Sequence, residues 1–494
     1  MISLGIDLGS SSVKVSLVDT STLHVLSSVK YPEREMKIDS PKAGWAEQDP
    51  KLWWDYVCKA INMAIIEADV AAQSVKSIGI SYQMHGLVIV DKHGEPIRPS
   101  IIWCDSRAVQ TGEILTDAIG LDFVQNNLLN NLGNFTASKL FWVKLHERHN
   151  FDLIHKVMLP GDFIAFKMSG AYTTTQTGMS EGIFYDFKND KISDKILNVL
   201  DMDASKFPSI GGSFDQLAST NQSFEEATGI KIGTPIAYRA GDQPNNALSL
   251  GVLKRGEAAG TGGTSGVIYA VSGDVKYDAL SRVNTFAHVN HAQSDPYLGT
   301  LLCINGTGIL YNWVKSNFFA DKSYNECEQI AQSVASGSEG VCFFPFGNGA
   351  ERMFSNQLIN SSLHGLDFNR HDKRHILRAG LEGIAFSFVY GLEILRDLGI
   401  ELNFMKVGND NLFQSQVFSQ TLADVGNISI DVIETTGSVG AAIGSAYGAG
   451  LIEHLEDGFK NLKTVKRIEP SVTQKIKMEV YQNWKSILNA RLRE

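Results

Sequence analysis

The sequence predicts an α/β protein built as two related lobes with a cleft between them, and three observations carry that prediction. Short apolar stretches of strand length alternate with amphipathic stretches of helical spacing along the whole chain, the pattern of sheets covered by helices. Two small, hydroxyl-rich loops, Gly9 to Ser12 and Gly260 to Gly266, each feed a strand and lie about half a chain apart. The 494 residues allow about three domains by length, although large α/β lobes often exceed the usual domain size. The second loop places the boundary near Gly251 to Gly256, giving a first lobe over 1–251 and a second over 252–494.

Composition narrows the function classes. The chain is 43% hydrophobic and 20% charged, with a net charge of −10 and no long basic run, which argues against nucleic acid as the main partner. The five cysteines, Cys58, Cys104, Cys303, Cys327 and Cys342, are odd in number and have no metal-ligand spacing, so they read as free thiols in a reducing compartment. The N-terminus enters a strand directly and no apolar run reaches the roughly 18 residues needed to span a bilayer. A cytoplasmic protein without a membrane partner is expected.

Taken in order, Ile2 to Asp19 is a strand, a polar turn and a second strand. Leu4 and Ile6 alternate before the turn, and Val13, Val15 and Leu17 after it. The tip, Gly9, Ser10, Ser11 and Ser12, offers backbone N–H groups and hydroxyls to an anion. Asp7 at its base can hold a hydrated Mg2+, and Lys14 adds positive charge. An ordinary surface hairpin has the same pattern. A third strand is expected over Leu23 to Val29, then a helix over Leu52 to Asp69 with Asp49 as N-cap and Pro50 at its first position. Trp53 and Trp54 read as packing.

Val75 to Ile80 and Leu87 to Asp91 read as strands flanking Ser81 to Gly86, a polar run expected to be exposed at a strand end, where open α/β sheets take their ligands. Met84 and His85 are therefore site candidates, with a hydrogen-bonded structural histidine as the alternative. Ile101 to Arg107 reads as another apolar strand, running into Trp103, Asp105 and Arg107. An aromatic face beside a carboxylate suits a polyhydroxyl ligand, although Asp105 and Arg107 can equally pair with each other. Gln110 to Lys156 is helical and amphipathic, Gly161 to Gly170 ends a helix, and Thr173 to Thr177 with Ser180 forms a polar loop. Asp242 falls between a strand, Ile236 to Arg239, and a helix start at Pro244. It is either an N-cap or a base that takes a proton from an attacking hydroxyl.

The second half repeats the alternation. Strands are expected over Leu301 to Asn305, Val341 to Phe346 and Phe404 to Val407, and helices over Ile309 to Phe318, His375 to Leu395 and Gln414 to Val425. Gly437 to Ala446 is small enough for a helix to pack very closely on a sheet. From about Glu453 a polar tail follows, with a last helix over Val472 to Leu492. Neither glycine loop is followed by the lysine of a Walker loop or has the spacing of a dinucleotide fingerprint. Two such loops, one per lobe, suggest a nucleotide held between them.

Together these residues resemble the FGGY family of carbohydrate kinases over nearly the whole chain. The similarity runs through Asp7 to Lys14, Gly44 to Pro50, Trp103 with Asp105 and Arg107, Gly263 to Gly266, and Gly365-Leu366 with His375, Arg378, Ala379 and Glu382. Gln83, Met84, His85 and Gly86 look like the branch whose acceptor is xylulose, and Asp242 falls on the family's catalytic base.

The resemblance implies two ribonuclease H-like lobes of the actin and hexokinase ATPase type, with ATP and Mg2+ as cofactors. The implied reaction is phosphorylation of the ketopentose D-xylulose to D-xylulose 5-phosphate. Another ketose or polyol, a silent sugar sensor, and a sugar-indifferent ATPase are the alternatives. The implied acceptor contacts are Gln83, Met84, His85, Trp103, Asp105 and Gln243. The implied nucleotide contacts are Gly9, Ser10, Ser11, Ser12, Lys14, Gly262, Gly263, Thr264, Ser265, Gly306, Gly408 and Asn409, with Asp7 at the metal. Partners are then a sugar and ATP, and a homodimer is an open assembly. Two stretches depart from the family pattern, Asp242-Gln-Pro-Asn-Asn246 and Gly408-Asn-Asp-Asn411.

Overall fold

The computed structural model describes residues 1–472 and 474–493. Its first sheet contains β1 (Ile2–Leu8), β2 (Val13–Asp19), β3 (Val25–Tyr31), β4 (Val75–Tyr82), β5 (Ala218–Ser219) and β6 (Pro235–Gly241), in the spatial order β5-β6-β4-β1-β2-β3. The predicted hairpin is present, paired from Ile2↔Asp19 to Leu8↔Val13. β4 runs parallel to β1, and β6 parallel to β4. The second sheet contains β7 (Ala258–Gly262), β8 (Gly266–Ser272), β9 (Asn284–Ala287), β10 (Leu298–Ile304), β11 (Phe404–Gly408), β12 (Ser429–Ile433) and β13 (Thr464–Ile468), in the order β9-β10-β8-β7-β11-β12-β13. It repeats the first: an antiparallel meander, then parallel strands added on the side of its first member.

Helix α1 (Pro50–Glu67) begins as its sequence predicts, with the Asp49 side chain accepting from the Lys51 N–H and Pro50 at the first turn. It packs on one face of the first sheet, where the Ser27 hydroxyl donates to the Ala64 carbonyl. Three more first-lobe helices frame the site: α2 (Thr136–His146), α3 (Gln176–Glu181) and α4 (Asp242–Ser249). The second half of the chain adds α5 (Gly308–Phe318), the long α6 (Lys373–Asp397), α7 (Gly437–Gly448) and α8 (Gln474–Arg491).

The small-residue helix packs as closely as its composition predicts, but on the first sheet. A Cβ on Gly5 would lie 1.9 Å from the Ser438 carbonyl oxygen, and one on Gly79 2.0 Å from that of Ala441. Ser3 donates to the Ala442 carbonyl at 2.6 Å, and Ser16 meets Ser438 hydroxyl to hydroxyl at 2.8 Å. Thus α7 comes late in the chain yet covers the face of β1, β2 and β4 opposite α1. Side chains larger than alanine at the contact would force the helix off the sheet.

Four elements differ from expectation. The strand expected over Ile101 to Arg107 is limited to Ser100–Ile101, and turns follow. Thr173–Thr175 is a strand parallel to Ser209–Gly211, and Thr175 then caps α3 by accepting from the Gly178 N–H, so the expected polar loop is ordered structure. Pro160–Ser169 is a helix in its own right, closed by left-handed Gly170. The chain after Glu453 is more than a polar tail. Its β13 extends the second sheet, and in α8 the residues Tyr481, Trp484 and Leu488, spaced for one helical face, are fully buried. Residue 473, inside the expected last helix, lies outside the described residues.

Candidate active site

Because β1, β4 and β6 run parallel, their carboxyl ends lie together, and open sheets of this kind use that edge for ligands. Asp7 sits near the end of β1, Gln83 to Gly86 follow β4, and Asp242 follows β6. Asp7 accepts from the Ser81 hydroxyl at 3.0 Å. Asp242 is the first residue of α4; Gly241 is the N-cap, without a side-chain bond, so the capping role does not describe it. Burial, then the charges of Asp7 and Glu181, push the Asp242 carboxyl up to about 8. The N-terminus of α7 closes this corner: the Gly437 carbonyl accepts from Asn245 Nδ2 at 2.9 Å, and a Cβ on Gly437 would lie 2.7 Å from Asp7 Oδ2.

The Ser81 to Gly86 run is largely buried, contrary to its expected exposure, because helices and the second sheet close over it. Met84 packs so tightly on Gly241 that a Cβ there would lie 2.4 Å from Met84 Cγ. His85 has a left-handed backbone, φ +62°, and its ring touches Phe135 edge-on at 4.8 Å and Phe286 of the second sheet at 5.5 Å. Gln83 faces away from open space, donating to Gln48, which binds Trp53 Nε1 and the Ser10 carbonyl in turn. The buried Oε1 of Gln243 has no partner among the described residues.

Asp105 stands behind the cleft wall. It is 0% exposed, and its carboxylate accepts from Arg107 Nε and Nη2 and from the Ala46 N–H. The guanidinium of Arg107 is stacked 3.7 Å over Trp45. Pairing two residues apart fills both carboxylate oxygens, leaving none for a ligand. Trp103 remains on the rim, 54% exposed, with Nε1 3.3 Å from the Ser10 hydroxyl.

The phosphate-type loops differ in construction. In the first, the carbonyls of Ser10, Ser11 and Ser12 accept from Gln48, Met36 and Gly9. The N–H groups of these serines have no protein acceptor among the described residues, as an anion-binding turn requires. Lys14 is exposed and close enough to Asp410 of the second lobe to oppose the upward push of burial on that carboxyl. In the second lobe, Gly262, Gly263 and Thr264 line a cavity of about 640 Å³ with Gly308, Asn312 and Asn411.

Ser265, Gly306, Gly408 and Asn409 do not line that cavity. Gly306 allows a backbone crossing, since a Cβ there would lie 1.6 Å from the Pro345 carbonyl oxygen. Asn409 is tied to Glu434 at 3.0 Å. Gly308 and Asn411, two positions further along than Gly306 and Asn409, do line it.

Sequence reasoning missed two groups, Glu181 and Lys139. Glu181 lies in the stretch read as a loop, and Lys139 in a helix read only as amphipathic. Both are buried, and both bond His85. No local signal marks either, because their partners lie 96 and 54 residues away. Among the described residues, no group of three or more His, Cys, Asp or Glu side chains is arranged to hold a metal ion, and no helix is long and apolar enough to cross a membrane.

Two lobes of repeated topology, each presenting a small-residue loop, with a half-buried carboxylate at the carboxyl edge of the first sheet, define a phosphotransferase of the actin and hexokinase ATPase fold. The chain belongs to the FGGY family of carbohydrate kinases: the family's N-terminal domain matches residues 2–249 and its C-terminal domain residues 258–451. It is 29% identical over 465 residues to a xylulose kinase of Bacillus subtilis, covering 92% of this chain and 89% of that protein. The fold is shared with a xylulose kinase from Rhodospirillum rubrum (TM-score 0.88, 22% identity, all of both chains). It is shared equally with a gluconate kinase from Lactobacillus acidophilus (TM-score 0.89, 21% identity, 100% and 99% covered).

Proposed function

We propose that this carbohydrate kinase transfers the γ-phosphoryl group of ATP to the terminal hydroxyl of D-xylulose, giving D-xylulose 5-phosphate and ADP. The observation that carries the reading is the placement of Asp242 at the head of α4, with Met84 packed against the preceding residue and His85 next in the chain. The bacterial relative of matching length named as a xylulose kinase supports the choice of sugar.

In this mechanism Asp242 orients the acceptor hydroxyl and takes its proton as the new oxygen–phosphorus bond forms and the β–γ bridging bond breaks. In a loose transition state the proton moves late, and positioning carries most of the catalysis. His85 contributes through one defined atom. Its Nδ1 lies 3.0 Å from both the carbonyl and the carboxylate of Glu181. Both are acceptors, so Nδ1 carries a proton, and Nε2 is the ring atom left to meet a sugar hydroxyl. The loop at Ser10 to Ser12 receives phosphate from one lobe, and Gly262 to Thr264 from the other.

The site also fits Mg2+. Asp7, Glu181 and Asp242 form no cage for an ion among the described residues, but the charges of the first two reach the third, and a divalent cation entering with the triphosphate would offset that surplus charge. Asp7 would hold it, and the ion would supply neutralisation of phosphate charge.

The fold alone does not select the acceptor, since gluconate and xylulose kinases share it equally. ADP release from MgATP, measured with D-xylulose, L-xylulose, D-ribulose, L-ribulose, L-fuculose, D-gluconate, glycerol and no sugar, tests the proposal. Strong release with D-xylulose is expected. Preference for another acceptor overturns the substrate, and release indifferent to every sugar overturns the kinase mechanism.

A further inference from the structure

The residue that follows Met84 is held by unusual means. His85 adopts φ +62°, a region uncommon for residues other than glycine, which persists where surrounding structure over-determines it. Its N–H donates to Glu181 Oε2 at 2.7 Å, its Nδ1 lies 3.0 Å from the Glu181 carbonyl, and its own carbonyl accepts from Lys139 Nζ at 2.8 Å. Every polar atom of His85 except Nε2 is thus taken by two charged residues. One comes from α3 and the other from α2, and they are 1% and 0% exposed.

We infer that Lys139 and Glu181 are a pair of positioning residues that clamp His85 in the single orientation with which it reads the acceptor sugar. The clamp reaches beyond His85. Lys139 also donates to the Ile102 carbonyl at 3.0 Å, just before Trp103, and Thr136, one turn earlier in α2, reaches the Gly86 carbonyl at 3.4 Å. One helix therefore gathers the carbonyls of both acceptor loops. At the other end, Glu181 Oε1 is buried, has no hydrogen-bond partner among the described residues and lies 3.6 Å from where a Cβ on Gly241 would stand, beside Asp242.

A lysine filling space at this point of α2 would be costly, because a buried charge is typically less stabilising than an apolar side chain of similar volume. What the lysine adds is directional: a donor that fixes two carbonyls on loops 17 positions apart in the sequence. Release of that donor leaves the His85 peptide free to leave the left-handed region and turns Nε2 away from the hydroxyl it meets.

The inference rests on His85 being an acceptor-sugar contact, so the experiment includes H85A. K139M, E181A and E181Q are made separately, and KM for D-xylulose, KM for MgATP, kcat, the acceptor preference across the sugar panel and the thermal midpoint are measured. A rise in KM for D-xylulose of roughly 10-fold or more, a flattened preference and an unchanged KM for MgATP are expected in K139M and E181A. E181A removes the side-chain acceptor of the His85 N–H and is measured beside E181Q, which keeps the shape and loses only the charge; a sugar KM raised by E181A decides the matter where K139M does not fold. An unmoved sugar KM, or sugar and nucleotide KM rising together with a lower thermal midpoint, overturns the clamp. If H85A raises the sugar KM and neither K139M nor E181A does, the clamp fails and the reading of His85 stands. If H85A changes nothing, both fall.

Discussion

The two walls of the cleft are built on opposite principles. On the acceptor side, bulky and charged groups are buried and locked: Asp105 by Arg107, Gln83 by Gln48, His85 by Glu181 and Lys139. On the proposed nucleotide side, Gly262, Gly263, Thr264 and Gly308 share an open cavity of about 640 Å³ with Tyr311, Tyr324, Leu412 and Glu328. A triphosphate is recognised by backbone N–H groups and charge, which need little more than the absence of side chains. A sugar is recognised by the direction of a few hydrogen bonds, and direction requires a rigid support. On the proposed function, specificity therefore belongs to the first lobe, and the second holds a generic phosphoryl donor.

The sharpest way to break this comparison is at the carboxylate proposed as its base. D242N keeps the shape of the acceptor wall and removes the base, so kcat is expected to fall at least ~100-fold while sugar binding, followed by calorimetry, persists. Near-normal turnover would remove Asp242 from the role. Next in size is pH. A base must be ionised to accept a proton, and the Asp242 carboxyl is pushed up to about 8 in the free enzyme. Hence kcat/KM for the sugar should fall as pH drops below 8, by about tenfold per unit. A profile flat down to pH 6 contradicts that assignment.

On the nucleotide side, G308A would place a Cβ 2.3 Å from the Gly263 carbonyl oxygen and push the loop out of place. Its expected signature is the reverse of the clamp variants: KM for MgATP raised several-fold, roughly 1 kcal/mol, with KM for sugar unmoved. Equal effects on both would mean that the walls are not independent. The smallest change is expected from W103F, which removes one rim hydrogen bond to Ser10. A loss of about twofold to threefold in kcat/KM matches a partly exposed neutral bond; a loss as large as that of D242N would move Trp103 into the core of the site.

The fold was legible where local rules decide it. The alternation in β1 and β2, the Asp49-Pro50 helix start and the small residues of α7 all form what their chemistry dictates. Legibility failed where the partner lies far along the chain. Asp105 carries the composition of a sugar contact, yet Arg107 and Ala46 absorb it. Gly306 and Gly308 look alike in sequence and both allow a close backbone approach, at Pro345 and at Gly263, yet of the two Gly308 lines the cavity. Lys139 and Glu181 bear no mark at all, since burial of a charge is decided by tertiary packing. The strongest local signal for the site was a run of residues at a strand end. What the sequence hid was the apparatus that holds that run still.

The position of α7 has a consequence for the order in which the protein is made. The strands of the first sheet are complete by Gly241, but the helix that covers their inner face begins only at Gly437. At ordinary rates of synthesis, the interval of about 200 residues leaves that sheet face bare for about 10–40 s. It is a face of glycine and serine, Ser3, Gly5, Ser16 and Gly79, which water tolerates better than a run of valine and leucine. Severed from its last hundred residues, the first lobe would lack its own lid. It is the earliest part of the molecule to emerge from the ribosome and among the latest to be finished.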